Sequence, residues 1–177
     1  MSLHTNESVY RERLLEHLLI GELLKHSWLH HGAQLEVSQP AIDRSGHDVV
    51  LEANGITRHV QLKASATGAS TSVQKIHIGL VNKPSGCVIW MRFDPADMSL
   101  GPFLLFAGQA GESLPSLEGF KVAKHTKGNA EGVKKERPNL RIVPLSKFRS
   151  ITGIAQLYDA LFGSGTGTAE AGAGTRR

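Results

Sequence analysis

The densest grouping of chemically capable residues lies between positions 43 and 63. Asp43-Arg44-Ser45-Gly46-His47-Asp48-Val49-Val50 precedes Asn54-Gly55, and Val60-Gln61-Leu62-Lys63 follows it. The runs 47–53 (HDVVLEA) and 56–64 (ITRHVQLKA) flank Asn-Gly. That dipeptide between two β-rich runs predicts a tight hairpin, because both turn residues must accept positive φ. With the turn centred on 54 and 55, antiparallel pairing sets Asp48 opposite about position 61. Side chains alternate along a strand, so Gln61 and Lys63 share one face while Val60 and Leu62 share the other. A carboxylate, an amide oxygen and an ammonium group then converge at one strand end. Hard divalent cations take oxygen ligands, and Mg²⁺ commonly holds one or two carboxylates with water and phosphate oxygens. A nearby lysine can polarise a metal-bound water or offset phosphate charge. The plainer alternatives make Asp48 a strand-end cap and Lys63 the guard of an exposed sheet edge. Asp43 reads as a turn residue, with a supporting acid as its other role, and Glu52 as a solvent-facing acid farther along Asp48's face.

The elements that must position these groups follow from periodicity. Over residues 7–31, Leu14, Leu15, Leu18, Leu19, Leu23, Leu24 and Trp28 recur at three-four spacing, which predicts a helix. Asn6 or Ser8 can cap its start and Gly32 follows its end. Leu35–Val37 is a short extended stretch stopped by Pro40. Residues 73–80 (VQKIHIGL) fit strand or helix. Residues 87–93 (CVIWMRF) and 103–107 (FLLFA) read as buried strands, joined by a loop holding Pro95 and Pro102. Short strands are expected at 120–123 and 140–143, and a helix over 151–162. The chain from Gly163 onward is Gly, Ser, Thr and Ala with two terminal arginines, and is expected to be a disordered tail. The order predicts an α+β or mixed α/β fold, with the first helix packed on a central sheet. Residues 1–162 form one domain in this reading and 163–177 the tail.

The combination GHDVV (46–50), hairpin and VQLK (60–63) resembles the PD-(D/E)XK nuclease superfamily, closest to its Mrr-like and Holliday-junction-resolvase-like members. The resemblance covers roughly residues 10–110. It implies a restriction-endonuclease-like fold, a central mixed β-sheet flanked by helices. It also implies a Mg²⁺-dependent endonuclease that hydrolyses phosphodiester bonds in DNA, with Mn²⁺ as a substitute ion. By resemblance, Asp48 and Gln61 help hold the metal and Lys63 assists the attacking water. Many members add a glutamate from the first helix, about ten residues before the Gly that ends it. Glu22 fits that place and Glu16 is the fallback. Two departures stand out. Gln61 occupies a position that is usually acidic, so it brings no negative charge to the ion, although Mrr-like members also use Gln there. His47 stands where Pro is common. The alternative is a catalytically inactive domain of the same fold that binds nucleic acid or a protein.

Charge segregation is in keeping with a polyanionic partner. Among 177 residues the net charge is +4, but residues 1–120 carry 9 basic and 12 acidic side chains, whereas 121–149 carry 9 and 2. Lys121, Lys124, Lys127, Lys134, Lys135, Arg137 and Arg141 form the expected nucleic-acid-contacting block, set in a basic loop region; a solvated loop is the plain alternative. One cysteine forms no internal disulfide, no apolar run is long enough to span a bilayer, and the N-terminal apolar stretch is interrupted by Glu16, His17 and Glu22. These features predict a cytoplasmic protein without membrane partners. Members of such nuclease families often act as homodimers, though nothing in the residues marks an interface.

The remaining candidates carry less. His26 and His30 share a helix face with His31 following, a spacing able to hold a metal. No local Cys or acid completes the set and there is no His-Glu-x-x-His, so they read as helix-end histidines. Cys87 opens an apolar strand and reads as a buried small hydrophobe. Gly163–Gly167 lacks the strand before it and the Lys-Ser/Thr after it that a phosphate-binding loop requires.

Overall fold

A computed structural model describes residues 7–42, 44–127 and 132–164. Asn6, Asp43 and the tail from 165 onward lie outside the described residues. The fold is α+β, built in three layers.

Helix α1 spans Ser8–His30. The strands are β1 (Glu36–Ser38), β2 (Val49–Ala53), β3 (Ile56–Ala66), β4 (Val73–His77), β5 (Gly86–Phe93), β6 (Leu100–Ala107), β7 (Val122–Lys124), β8 (Glu136–Pro144) and β9 (Arg149–Ile151); helix α2 spans Ile154–Phe162. The main sheet has the order β1-β2-β3-β5-β6-β9 and the second sheet β4-β8-β7. Every pairing is antiparallel except β3 with β5.

Both helices cover one face of the main sheet. Leu15, Leu19 and Leu23 of α1 meet Leu157, Tyr158, Leu161 and Phe162 of α2 over Val49, Leu51, Val60, Ile89 and Met91. Each fully buried leucine contributes about 1.5–3 kcal/mol by leaving water. The second sheet covers part of the other face, burying Ile76 and Val143 against Val88, Trp90 and Phe106. Covered on both sides, β5 is apolar almost throughout, as strands in the middle of a layered fold are.

The hairpin forms in the expected register. Val49 pairs with Val60 and Ala53 with Ile56, and Asn54 and Gly55 take φ of 53° and 72°. The ambiguous 73–80 run is both things in turn, strand β4 followed by a 3₁₀ helix over Ile78–Asn82. Five expectations are corrected. Leu24 and Trp28 lie on the solvent side of α1, at 41% and 74% exposure. Glu7, not Ser8, stands at the α1 N-cap, with no side-chain cap bond. Pro102 falls inside β6 instead of the loop before it. Residues 149–151 pair as β9 before α2 begins at Ile154. The strands beside the basic loop differ from the expected 120–123 and 140–143, β7 spanning Val122–Lys124 and β8 starting already at Glu136. The two pair antiparallel, and β8 is nine residues long.

Candidate active site

The site is built where β2 and β3 part. Their ladder ends at Val49, and the chain before it turns away from β3 through Gly46. Asp48 donates its backbone N–H to the Val60 carbonyl at 2.8 Å. Its side chain continues the ladder, Oδ2 accepting from the Leu62 N–H at 2.6 Å. Beyond that point β3 has no β2 neighbour, and a cavity of about 580 Å³ opens along its edge. Asp48, Lys63 and Glu16 line it together, with Arg11, Glu12, Arg13, Gln39 and Gln74. Asp48 and Lys63 are half-buried and Glu16 is buried.

Gly46 sets the approach of this strand. Its φ is +78°, and a Cβ there would come within 2.2 Å of the His77 Cβ. Only glycine fits both demands. The same junction engages Gln61. This side chain is buried, and its Oε1 accepts from the His77 N–H at 3.3 Å. As expected from alternation, Gln61 lies on the opposite face of β3 from Val60, where Ser65 bonds the Trp90 indole N–H at 2.9 Å. Gln61 therefore ties β3 to the end of β4 and does not line the cavity.

The helix supplies Glu16 to the cavity and not Glu22. Glu16 accepts from Arg13 Nη1 at 3.0 Å and from Gln39 Nε2. Glu22 is exposed, outside the cavity, and pairs with Lys25 at 3.5 Å. At about 100° per residue the two glutamates stand about 120° apart around the helix, on opposite flanks of the Leu15–Leu19–Leu23 stripe. Sequence reasoning missed Glu12. Its four-residue spacing from Glu16, which puts both on one helix face, is the signal that could have found it.

The donor chemistry suits a hard cation. Asp48 and Glu16 both line the cavity, and Mg²⁺ needs only one or two protein carboxylates when water and phosphate fill the rest. Among the described residues, no three His, Cys, Asp or Glu side chains already stand at metal-binding spacing. Arg11, Arg13 and Lys63 balance Glu12, Glu16 and Asp48 in charge, so the cavity can face both a cation and an anion.

Six of the seven basic-block residues are exposed: Lys121, Lys124 and Lys127 on and around β7, Lys134 and Lys135 just before β8, and Arg137 within it. Arg141 is half-buried and donates to the Pro138 carbonyl at 2.7 Å. Cys87 is fully buried, and burial pushes its thiol up to about 12, so it is no nucleophile. Among the described residues, no helix is long and apolar enough to cross a membrane.

The chain matches no protein-family model, no curated protein and no solved structure at a significant level.

Proposed function

We propose that this protein is a Mg²⁺-dependent nuclease that hydrolyses phosphodiester bonds in DNA at the cavity beside the free edge of β3. The observation that carries the reading is the meeting of Asp48, Lys63 and Glu16 in that cavity, with Asp48 fixed by the Leu62 amide. The resemblance to the PD-(D/E)XK superfamily, carried by the segments that hold Asp48 and Lys63, points the same way. Asp48 would hold the ion, with Glu16 in the place first given to Glu22. When bound, Mg²⁺ supplies charge to offset the phosphate and lowers the pKa of water. The Lys63 ammonium orients the attacking water and faces the anionic phosphate. The exposed lysines and arginines around β7 and β8 hold the backbone of the substrate without reading its sequence. The lone buried thiol accords with a reducing compartment, and we assign the protein to the cytoplasm.

A second reading is favoured by one observation. The Gln61 oxygen is engaged by the His77 amide, so the position that is usually an acidic ligand serves the fold here. A domain of this kind would bind nucleic acid through the basic hairpin and cut nothing.

Nicking of supercoiled plasmid with Mg²⁺, Mn²⁺ or EDTA separates the two. The nuclease reading expects metal-dependent nicking that Lys63→Ala abolishes while DNA binding persists. Equal nicking by that variant sinks the mechanism, and salt-sensitive binding without nicking supports the second reading. Neutralising Lys134, Lys135 and Arg137 should reduce the slope of log affinity against log salt by nearly one for each phosphate no longer neutralised. An unchanged slope leaves the block as a solvated surface.

A further inference from the structure

The C-terminal end of α1 holds a second cluster, remote in sequence from the hairpin. His26 Nε2 and His31 Nε2 lie 3.3 Å apart. In a continuing helix, residues five apart sit about 140° around the axis and could not meet. His31 escapes this because it has left the helix (φ −134°, ψ 23°), and Gly32 and Ala33 reverse the chain with φ of 64° and 58°. Its imidazole stacks on Tyr158 of α2, with centroids 4.4 Å apart and planes 18° from parallel. The same Tyr158 ring stands 5.2 Å from His26. Tyr158 is fully buried and its hydroxyl meets Ser27 Oγ at 3.4 Å, so both imidazoles rest against a fixed platform. His26 and His31 are both half-buried, which leaves the pair accessible to solvent.

Two neutral imidazoles can place only one N–H between such nitrogens. The separation has another meaning. A tetrahedral ion with Zn–N bonds of about 2.0–2.1 Å sets its ligand nitrogens about 3.3–3.4 Å apart. We propose that His26 and His31 form a two-histidine site for a divalent transition-metal ion of the Zn²⁺ class. Water fills the remaining positions, since no third protein ligand stands at metal-binding spacing among the described residues. Imidazole nitrogen selects such ions over Mg²⁺, which distinguishes this site from the oxygen-lined cavity at β3. An ion here bridges the last turn of α1 to the segment that follows it, over the packing against α2.

Zn²⁺ titration of the EDTA-stripped full chain in excess Mg²⁺ tests the site by calorimetry, in wild type and in H26Q, H31Q and H30Q. With the β3 cavity filled by excess Mg²⁺, one equivalent of Zn²⁺ is expected in wild type and H30Q, with affinity more than about tenfold weaker in H26Q and H31Q. Imidazole ¹⁵N shifts of the wild type provide a readout that needs no variant, and Zn²⁺ should move the Nε2 signals of His26 and His31 together. Undiminished Zn²⁺ affinity in H26Q and H31Q, or unmoved Nε2 signals at either residue, overturns the proposal.

Discussion

The Leu62 N–H donates to Asp48 Oδ2 at 2.6 Å, so a side chain takes the place in the ladder that the departing β2 backbone has vacated. This bond fixes the carboxylate on the edge of the strand that carries Lys63. It also separates two roles that substitution can pull apart. Asp48→Asn keeps an acceptor oxygen for Leu62 but removes the charge, whereas Asp48→Ala removes both. Asp48→Asn should melt close to wild type and lose metal-dependent cleavage. Asp48→Ala should lose cleavage and about 1–3 kcal/mol of stability, because a half-buried amide is left without its acceptor. Thermal denaturation beside the nicking assay reads both. A cleaving Asp48→Asn variant would remove Asp48 from the chemistry.

The two helix glutamates make opposite predictions. Glu16 is buried in the cavity between Arg13 and Gln39, and Glu22 is solvated beside Lys25. Glu16→Gln should cut cleavage by at least about tenfold, in the range general acid–base and metal-holding groups contribute. Glu22→Gln should leave it unchanged, and cost no more than about 0.5 kcal/mol as an exposed i,i+3 pair. The reverse pattern would restore Glu22 to the site.

The fate of these glutamates shows what the sequence could convey. The hairpin and its register were legible because Asn54-Gly55 is a local signal that sets the pairing of every residue between 49 and 60. Helix α1 was legible from its leucines. Counting back from Gly32 reached Glu22, but which flank of the helix faces the fork of β2 and β3 is a tertiary fact. The second sheet was hidden for a similar reason. Strand β4 pairs Val73 with Pro144, and no local pattern announces a partner about seventy residues away. Gln61 looked like a ligand because its other neighbour, His77, belongs to that unseen sheet.

Gly46 is the point where those two sheets constrain the site. A methyl group there would meet His77 Cβ at 2.2 Å and Gln61 Nε2 at 3.0 Å, with the backbone at φ +78°. The His77 Cβ is tied directly to its backbone, so it does not move cheaply. Gly46→Ala should cost about 1–3 kcal/mol from strain at a left-handed position, with the clash adding to it. Because Asp48 follows two residues later, cleavage should fall more than the melting temperature alone explains. Wild-type stability by chemical denaturation would show that the His77 side chain yields.

Arg58 is fully buried, and its hydrogen bonds run to backbone carbonyls. Its guanidinium donates to the carbonyls of Leu161 at 2.9 Å and Gln109 at 2.7 Å, with Gly108, Glu112 and Ala160 at 3.4 Å. Two of these acceptors belong to the last turn of α2, where the helix dipole favours a cation. One side chain thus joins β3, the 108–112 segment and α2. Arg58→Met should cost about 3 kcal/mol or more, because several buried carbonyls are deprived of charged donors. Arg58→Lys should rescue little, since a point charge cannot span so many directions. Urea unfolding of both variants checks this, and near-wild-type midpoints would make the network dispensable.

The single thiol reports on that same packing. Cys87 sits on β5 opposite Val60 of β3 and Ala107 of β6, with no exposed surface. Burial raises its pKa to about 12, and the nearby Arg58 charge lowers it only in part. At pH 8 almost none of the thiol is ionised, and a reagent must still reach the sulfur. Alkylation by iodoacetamide should therefore proceed only through unfolding, at a rate that falls as stability rises. Adding urea should accelerate labelling in step with the loss of circular dichroism, and Arg58→Met should label faster than wild type at every concentration. Rapid stoichiometric labelling of the fully folded protein would mean that the β3–β5–β6 core opens locally, and the thiol could not then be counted among its inert members.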